Sequence, residues 1–242
     1  MKSVINQKCF PILILLSRPA AGKSEVIHFL RNTPLPIRLE KFHVSRLKII
    51  DDFPMLWTWF EEDHLLDQMG QPRIYTDKDG YLLNTYFWDL LIERINLEYT
   101  KYKRDHNHHN HTLIIEFSRG KEHGGYRRAF SHLSEVILKK SAILYINVSW
   151  EESLRKNRLR FNPEKPDSIL EHSLPDEKMR KLYYETDWQE LTQENPSFIQ
   201  IKQIKVPYVV FENEDDVTSG NYQLLNQRLF ASLTYLWENQ KQ

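Results

Sequence analysis

Gly22-Lys23-Ser24 follows an apolar run and leads into a helical pattern in PILILLSRPAAGKSEVIHFL, residues 11–30. That grouping suits one kind of chemistry, the holding of a polyphosphate. Backbone N–H groups of the turn face the anion, a lysine reaches the β- and γ-phosphates, and a hydroxyl takes a place on Mg²⁺. The N-terminus of the following helix meets the remaining charge. In this reading Ser17, Ala20, Ala21 and Gly22 form the cradle, Lys23 is the cation, Ser24 the metal hydroxyl, and Glu25 opens the first turn. Ser17 stands at the first position of G-x-x-x-x-G-K-[ST], where glycine is usual and a compact residue suffices. The alternative is a plain strand–turn–helix.

Other polar residues fall where further chemistry can act. Asp51 and Asp52 end the run RLKIIDD, and a carboxylate there can accept a proton from a reacting hydroxyl. Equally, the pair can cap the next helix. In HTLIIEFSRG three apolar residues run into Glu116, with Arg119 three further on: a metal-holding acid beside an anion-binding arginine, or a buried ion pair. Ser149 and Glu152 have capping-box spacing. The helix they start carries Arg155 and Arg158 at i, i+3, with Arg160 nearby, either facing phosphate or facing water. The histidine-rich RDHNHHNH (104–111) has no carboxylate-and-cysteine company of the kind zinc sites show, and reads as a polar turn.

The elements that must position these residues alternate. Short apolar runs at 12–16, 46–50, 112–117, 142–148 and 206–211 read as buried strands. Between them lie helical stripes: Trp88, Leu91, Ile92, Ile95, Tyr99 and Tyr102; Tyr126, Phe130, Leu133 and Ile137; Tyr222, Leu225, Leu229, Leu233 and Leu236. Such alternation predicts an α/β, three-layer domain around a five-stranded, mostly parallel sheet. RIYTDKDGYLLN, with its Asp79-Gly80 turn, predicts a hairpin inserted at about 70–85. One domain over 1–242, without repeats, is the simplest organisation.

Composition narrows the function classes. Thirty-three basic side chains balance thirty-three acidic ones, so no net field recruits nucleic acid or an anionic membrane. Cys9 is the lone cysteine, which excludes an internal disulfide and favours a cytoplasmic location. Lys2, Lys8 and the run 9–16 resemble a secretion signal, but the run is short and Arg18 follows directly.

With the Ser17–Ser24 loop in this context, the chain resembles the P-loop kinases, the superfamily of nucleoside, nucleotide and shikimate-type kinases and zeta-toxin-like phosphotransferases. The resemblance implies ATP and Mg²⁺ as cofactors and a small acceptor, such as a nucleoside, nucleotide or sugar-like alcohol. It casts Asp51 or Asp52 as the acceptor's base or orienter, Glu116 as the Mg²⁺ acid and Arg119 as a substrate-gripping arginine. Arg155, Arg158 and Arg160 become arginines of a lid at about 155–180, and Asn213 and Asp216 the adenine contacts. Glutamate at 116 replaces the commoner aspartate. A GTPase-type Asn-Lys-x-Asp motif and a transporter-type LSGGQ motif are both absent. The competing class is a nucleotide-binding regulator with little phosphotransfer. Oligomeric state is not readable from sequence.

Overall fold

The computed structural model describes residues 9–105, 111–160, 164 and 173–240. The strands are β1 (Ile12–Ser17), β2 (Arg46–Asp51), β3 (His111–Phe117), β4 (Ser141–Asn147), β5 (Phe198–Ile201) and β6 (Ile204–Glu212). The helices are α1 (Lys23–Asn32), α2 (Leu35–Phe42), α3 (Phe53–Gln68), α4 (Tyr86–Asp105), α5 (Gly125–His132) and α6 (Glu135–Leu138), followed by α7 (Trp150–Arg160), α8 (Asp176–Tyr183), α9 (Trp188–Thr192) and α10 (Tyr222–Asn239). The sheet runs β2-β3-β1-β4-β6-β5 and is parallel except for the last pairing.

β1 is buried along its whole length because both faces of the sheet are covered. Ile12, Ile14 and Leu16 pack with α4, α5 and α6, whereas Leu13 and Leu15 pack with α1, α2 and α10. Each such side chain contributes about 1.5–3 kcal/mol of burial, and a strand covered on both sides shows no alternation. The three-layer α/β/α architecture expected from the sequence is present. The sheet has six strands where five were expected. β5 escaped notice because it is four residues long and an antiparallel edge strand, with its Gln200 exposed.

The stripe from Tyr126 to Ile137 divides into two helices. Leu133 is extended, and the Ser134 hydroxyl caps α6 by accepting from the Ile137 N–H. Between α3 and α4 the chain turns at residues 77–80, with one antiparallel bridge, Thr76 to Leu82, rather than paired strands. Asp63, fully buried on α3, holds this segment by accepting from the N–H groups of Ile74, Tyr75 and Thr76 and from the Thr76 hydroxyl. Residues 106–110 of the histidine-rich stretch, 161–163 and 165–172 of the expected lid, and Lys2 and Lys8 lie outside the described residues. No helix among the described residues is long and apolar enough to cross a membrane.

Candidate functional site

β1, β2 and β3 end side by side, with Asp51 opposite Glu116 and Glu116 opposite Leu15 in register. In a parallel sheet the carboxyl ends of the strands open onto a crevice. Here it has a volume of about 190 Å³, and Gly22, Lys23, Ser24, Asp51, Glu116 and Arg160 all line it.

The Ser17–Ser24 loop is braced from behind through its carbonyls. The Tyr126 hydroxyl donates to Ser17 O (2.9 Å), the Ser153 hydroxyl to Pro19 O (2.7 Å) and the Asn213 amide to Ala21 O (2.8 Å). No described partner accepts from the backbone N–H groups of Gly22, Lys23 and Ser24, which belong to the unsatisfied first turn of α1. Gly22 has φ +112°, and a Cβ there would come within 2.7 Å of Thr218 Oγ1 and 2.8 Å of Asn213 Nδ2. Both the left-handed backbone and the close approach require glycine. Ala20 also has positive φ, at 56°.

Lys23 Nζ donates to the Ser17 hydroxyl (3.1 Å) and the Ser118 hydroxyl (2.7 Å). Burial lowers its pKa, while Glu116, Asp51 and Asp52 pull the other way. Burial likewise raises Glu116, against the attraction of Lys23. Asp51 is pushed up to about 8 by burial and by the charges of Glu116 and Asp52, although the Phe53 N–H donates to it (3.0 Å). With Asp52 paired to Arg119, Asp51 and Glu116 are the acids left beside Lys23 and Arg160, and a carboxylate there can supply an oxygen to a cation. Among the described residues no three carboxylate, histidine or cysteine side chains are spaced to enclose a metal alone. Mg²⁺ commonly takes one or two protein oxygens and completes its shell with water and phosphate. Ser24 and Glu116 fit that donor set.

Asp52 is differently engaged. Its Oδ2 accepts from Arg119 Nη1 at 2.6 Å in a buried pair. Arg119 also donates to Ser118 O (2.8 Å) and lies over the Trp88 ring, 5.1 Å from its centroid. The arginine expected to grip substrate therefore spends its guanidinium on the protein.

Arg155 and Arg158 do not line the crevice. Arg155 pairs with Glu152 and Asp216, and Arg158 with Asp176, both guanidiniums being exposed. Arg160 does line it, with Nη2 3.5 Å from the Ser24 hydroxyl. Ser149 caps α7 by accepting from the Glu152 N–H, but the reciprocal half of the capping box goes to Glu214, which accepts from the Ser149 N–H. Asn213 and Asp216, the expected adenine contacts, both bond to the protein itself. Asn213 is fully buried beneath the loop, and Asp216 is occupied by Lys156 and Arg155.

Several lining residues were not singled out in the sequence: Ser118, Asn157, Leu174 and Tyr183. Asn157 clamps Leu174, donating to its carbonyl (2.7 Å) and accepting from its N–H (3.1 Å). α8 makes three further attachments. Arg18 Nη1 donates to the Tyr183 carbonyl and to Tyr184 O (2.9 Å). Lys178 Nζ donates to Asp79 O (3.0 Å) and Gly80 O (2.6 Å). Gly120 lies so close to α8 that a Cβ would stand 2.0 Å from Leu182 O. Asn157, Leu174, Lys178 and Tyr183 belong to no short motif, so only their context marks them.

Comparison with known proteins adds little. No family model matches and no curated protein matches. Among solved structures, Chaetomium thermophilum Kti12 in complex with ADP-AlF3 aligns over 92% of this chain and 99% of that chain, with 14% identity and a TM-score of 0.42. A likeness that distant carries no argument about the site, whose reading rests on the geometry above.

Proposed function

We propose that this chain binds ATP with Mg²⁺ at the Ser17–Ser24 loop and transfers the terminal phosphoryl group to the hydroxyl of a small acceptor. The observation that carries the reading is the setting of Lys23. Its ammonium rests on two neutral hydroxyls at the mouth of α1, beside backbone N–H groups with no partner among the described residues and facing strand-end carboxylates. In this reading Lys23 and the loop N–H groups bind the β- and γ-phosphates, and Ser24 and Glu116 hold Mg²⁺. When bound, the metal neutralises charge on the phosphate oxygens. Asp51 in its ionised form accepts the acceptor's proton, and Asp52, fixed by Arg119, keeps the strand end in place. Arg160 is positioned to meet charge spreading over the transferred group.

Calorimetric titration with Mg²⁺ and ATP or ADP, followed by ADP release across a panel of alcohols, tests this. Saturable nucleotide binding and acceptor-stimulated release are expected. A folded protein that binds no nucleotide would overturn the reading. Tight binding without stimulation by any acceptor would favour the nucleotide-binding regulator.

A further inference from the structure

A second cavity of about 320 Å³ adjoins the crevice. Phe53, Leu56, Trp88, Leu174 and Tyr183 line both, so the two compartments share a wall. Asp51, Glu116 and Lys23 face only the first, whereas Lys178 and Lys181 face only the second. Its walls are aromatic: Phe53, Trp57, Phe60, Tyr81, Trp88 and Tyr183. Trp59, two residues from Trp57, turns instead into the core and stacks on Tyr75.

We infer that the second compartment is the acceptor pocket and that the acceptor is a flat-bodied aromatic alcohol with an anionic group opposite its hydroxyl. The inference rests on the phosphotransfer reading above and names its substrate class. A volume of this size matches a small organic molecule. Aromatic walls favour a planar apolar body, and few polar groups are available to read the hydrogen-bonding edges of a sugar. At the far end Lys178 Nζ lies 4.9 Å from the Tyr81 ring centroid, and Lys181 Nζ lies 4.1 Å from the same ring. Among the described residues neither lysine has an ion-pair partner, and Glu122 is the single carboxylate lining the compartment. Lys178 uses two of its N–H groups on carbonyls, and a third remains. A carboxylate or phosphate seated there would place the other end of the molecule at the wall shared with the crevice that Asp51 lines.

The probes are 6-(hydroxymethyl)-2-naphthoate and its uncharged counterpart, 2-naphthalenemethanol, titrated against the tryptophan fluorescence of the intact protein without nucleotide. Nucleotide affinity is measured separately. The naphthoate is expected to bind more tightly than the neutral alcohol. Lys181→Ala should weaken the naphthoate about tenfold and the neutral alcohol by less than about twofold. Phe60→Ala, with its fold checked by circular dichroism, should weaken both. Equal affinity for the two probes, or equal loss of both in Lys181→Ala, overturns the anionic assignment. Absence of probe binding while nucleotide binds overturns the pocket and leaves the function standing. Failure of nucleotide binding overturns the function itself, whatever the probes do.

Discussion

Asp52 and Arg119 form a buried ion pair, Oδ2 to Nη1 at 2.6 Å, and this pair separates the roles of two adjacent aspartates. Side chains of neighbours at a strand end diverge. Both line the crevice, but Asp52 turns to Arg119, whereas Asp51 has no cation bonded to it among the described residues and its pKa is raised. Asp52→Ala leaves Arg119 buried without its carboxylate and should cost about 3–5 kcal/mol of stability, seen as a lower denaturation midpoint. Asp51→Asn should keep the fold and nucleotide binding while abolishing transfer. Equal effects of the two substitutions in both assays would remove this division of labour.

The raised pKa of Asp51 also predicts the pH dependence of stability. Its folded value is about 8, against about 3.9 for an unperturbed aspartate. Between those values the folded state holds a proton that the unfolded state releases, so stability falls as pH rises through the window. Asp51→Asn has no such proton. Its melting temperature relative to wild type should rise from pH 5 to pH 8, measured by calorimetry without ligands. A constant difference would show that Asp51 titrates normally.

Lys23→Ala should fold and lose most nucleotide turnover, by about 10²–10³, the usual cost of removing one preorganised charge-stabilising group. Steady-state ADP release measures it. Turnover within a few-fold of wild type would contradict the assignment of the loop.

Gly22→Ala attacks the same loop through its backbone. The substitution places a methyl against Thr218 and Asn213 at a φ of +112°. It should destabilise by about 1–3 kcal/mol and weaken nucleotide binding more than turnover per bound nucleotide. Thermal melting with and without ADP reads both effects, and an unshifted melt would show that the loop relaxes freely.

The arginines of α7 should separate sharply. Arg155→Ala and Arg158→Ala remove solvent-screened ion pairs outside the crevice, and should leave kcat near wild type. Arg160→Ala should lower kcat with a smaller change in nucleotide affinity, as expected of a contact that strengthens during transfer. Comparable kcat losses in all three would mean that Arg155 and Arg158 leave their pairs on binding.

Much of this was legible before any coordinates. Ile12–Leu16 announces a strand because a sheet covered on both sides needs unbroken apolar side chains, and Gly22-Lys23-Ser24 announces its turn because few residue types tolerate that backbone. β5 gives no such signal, being short and half exposed. The break before Ser134 is hidden because apolar spacing continues across it. Asn213 is a polar residue in a polar stretch, and nothing local shows that the loop folds under the cradle and buries it. Arg155, Arg158 and Arg160 are chemically alike in sequence. Which one meets the crevice depends on carboxylates at 176 and 216, brought there only by the fold.

α8 is eight residues long and touches Arg18 beside the cradle, the turn at Asp79–Gly80 and the backbone at Gly120. Those three places are remote from one another along the chain, yet each loses a support if α8 detaches. In native-state hydrogen exchange they should therefore behave as one cooperative unit, opening together at a shared free energy rather than fraying separately.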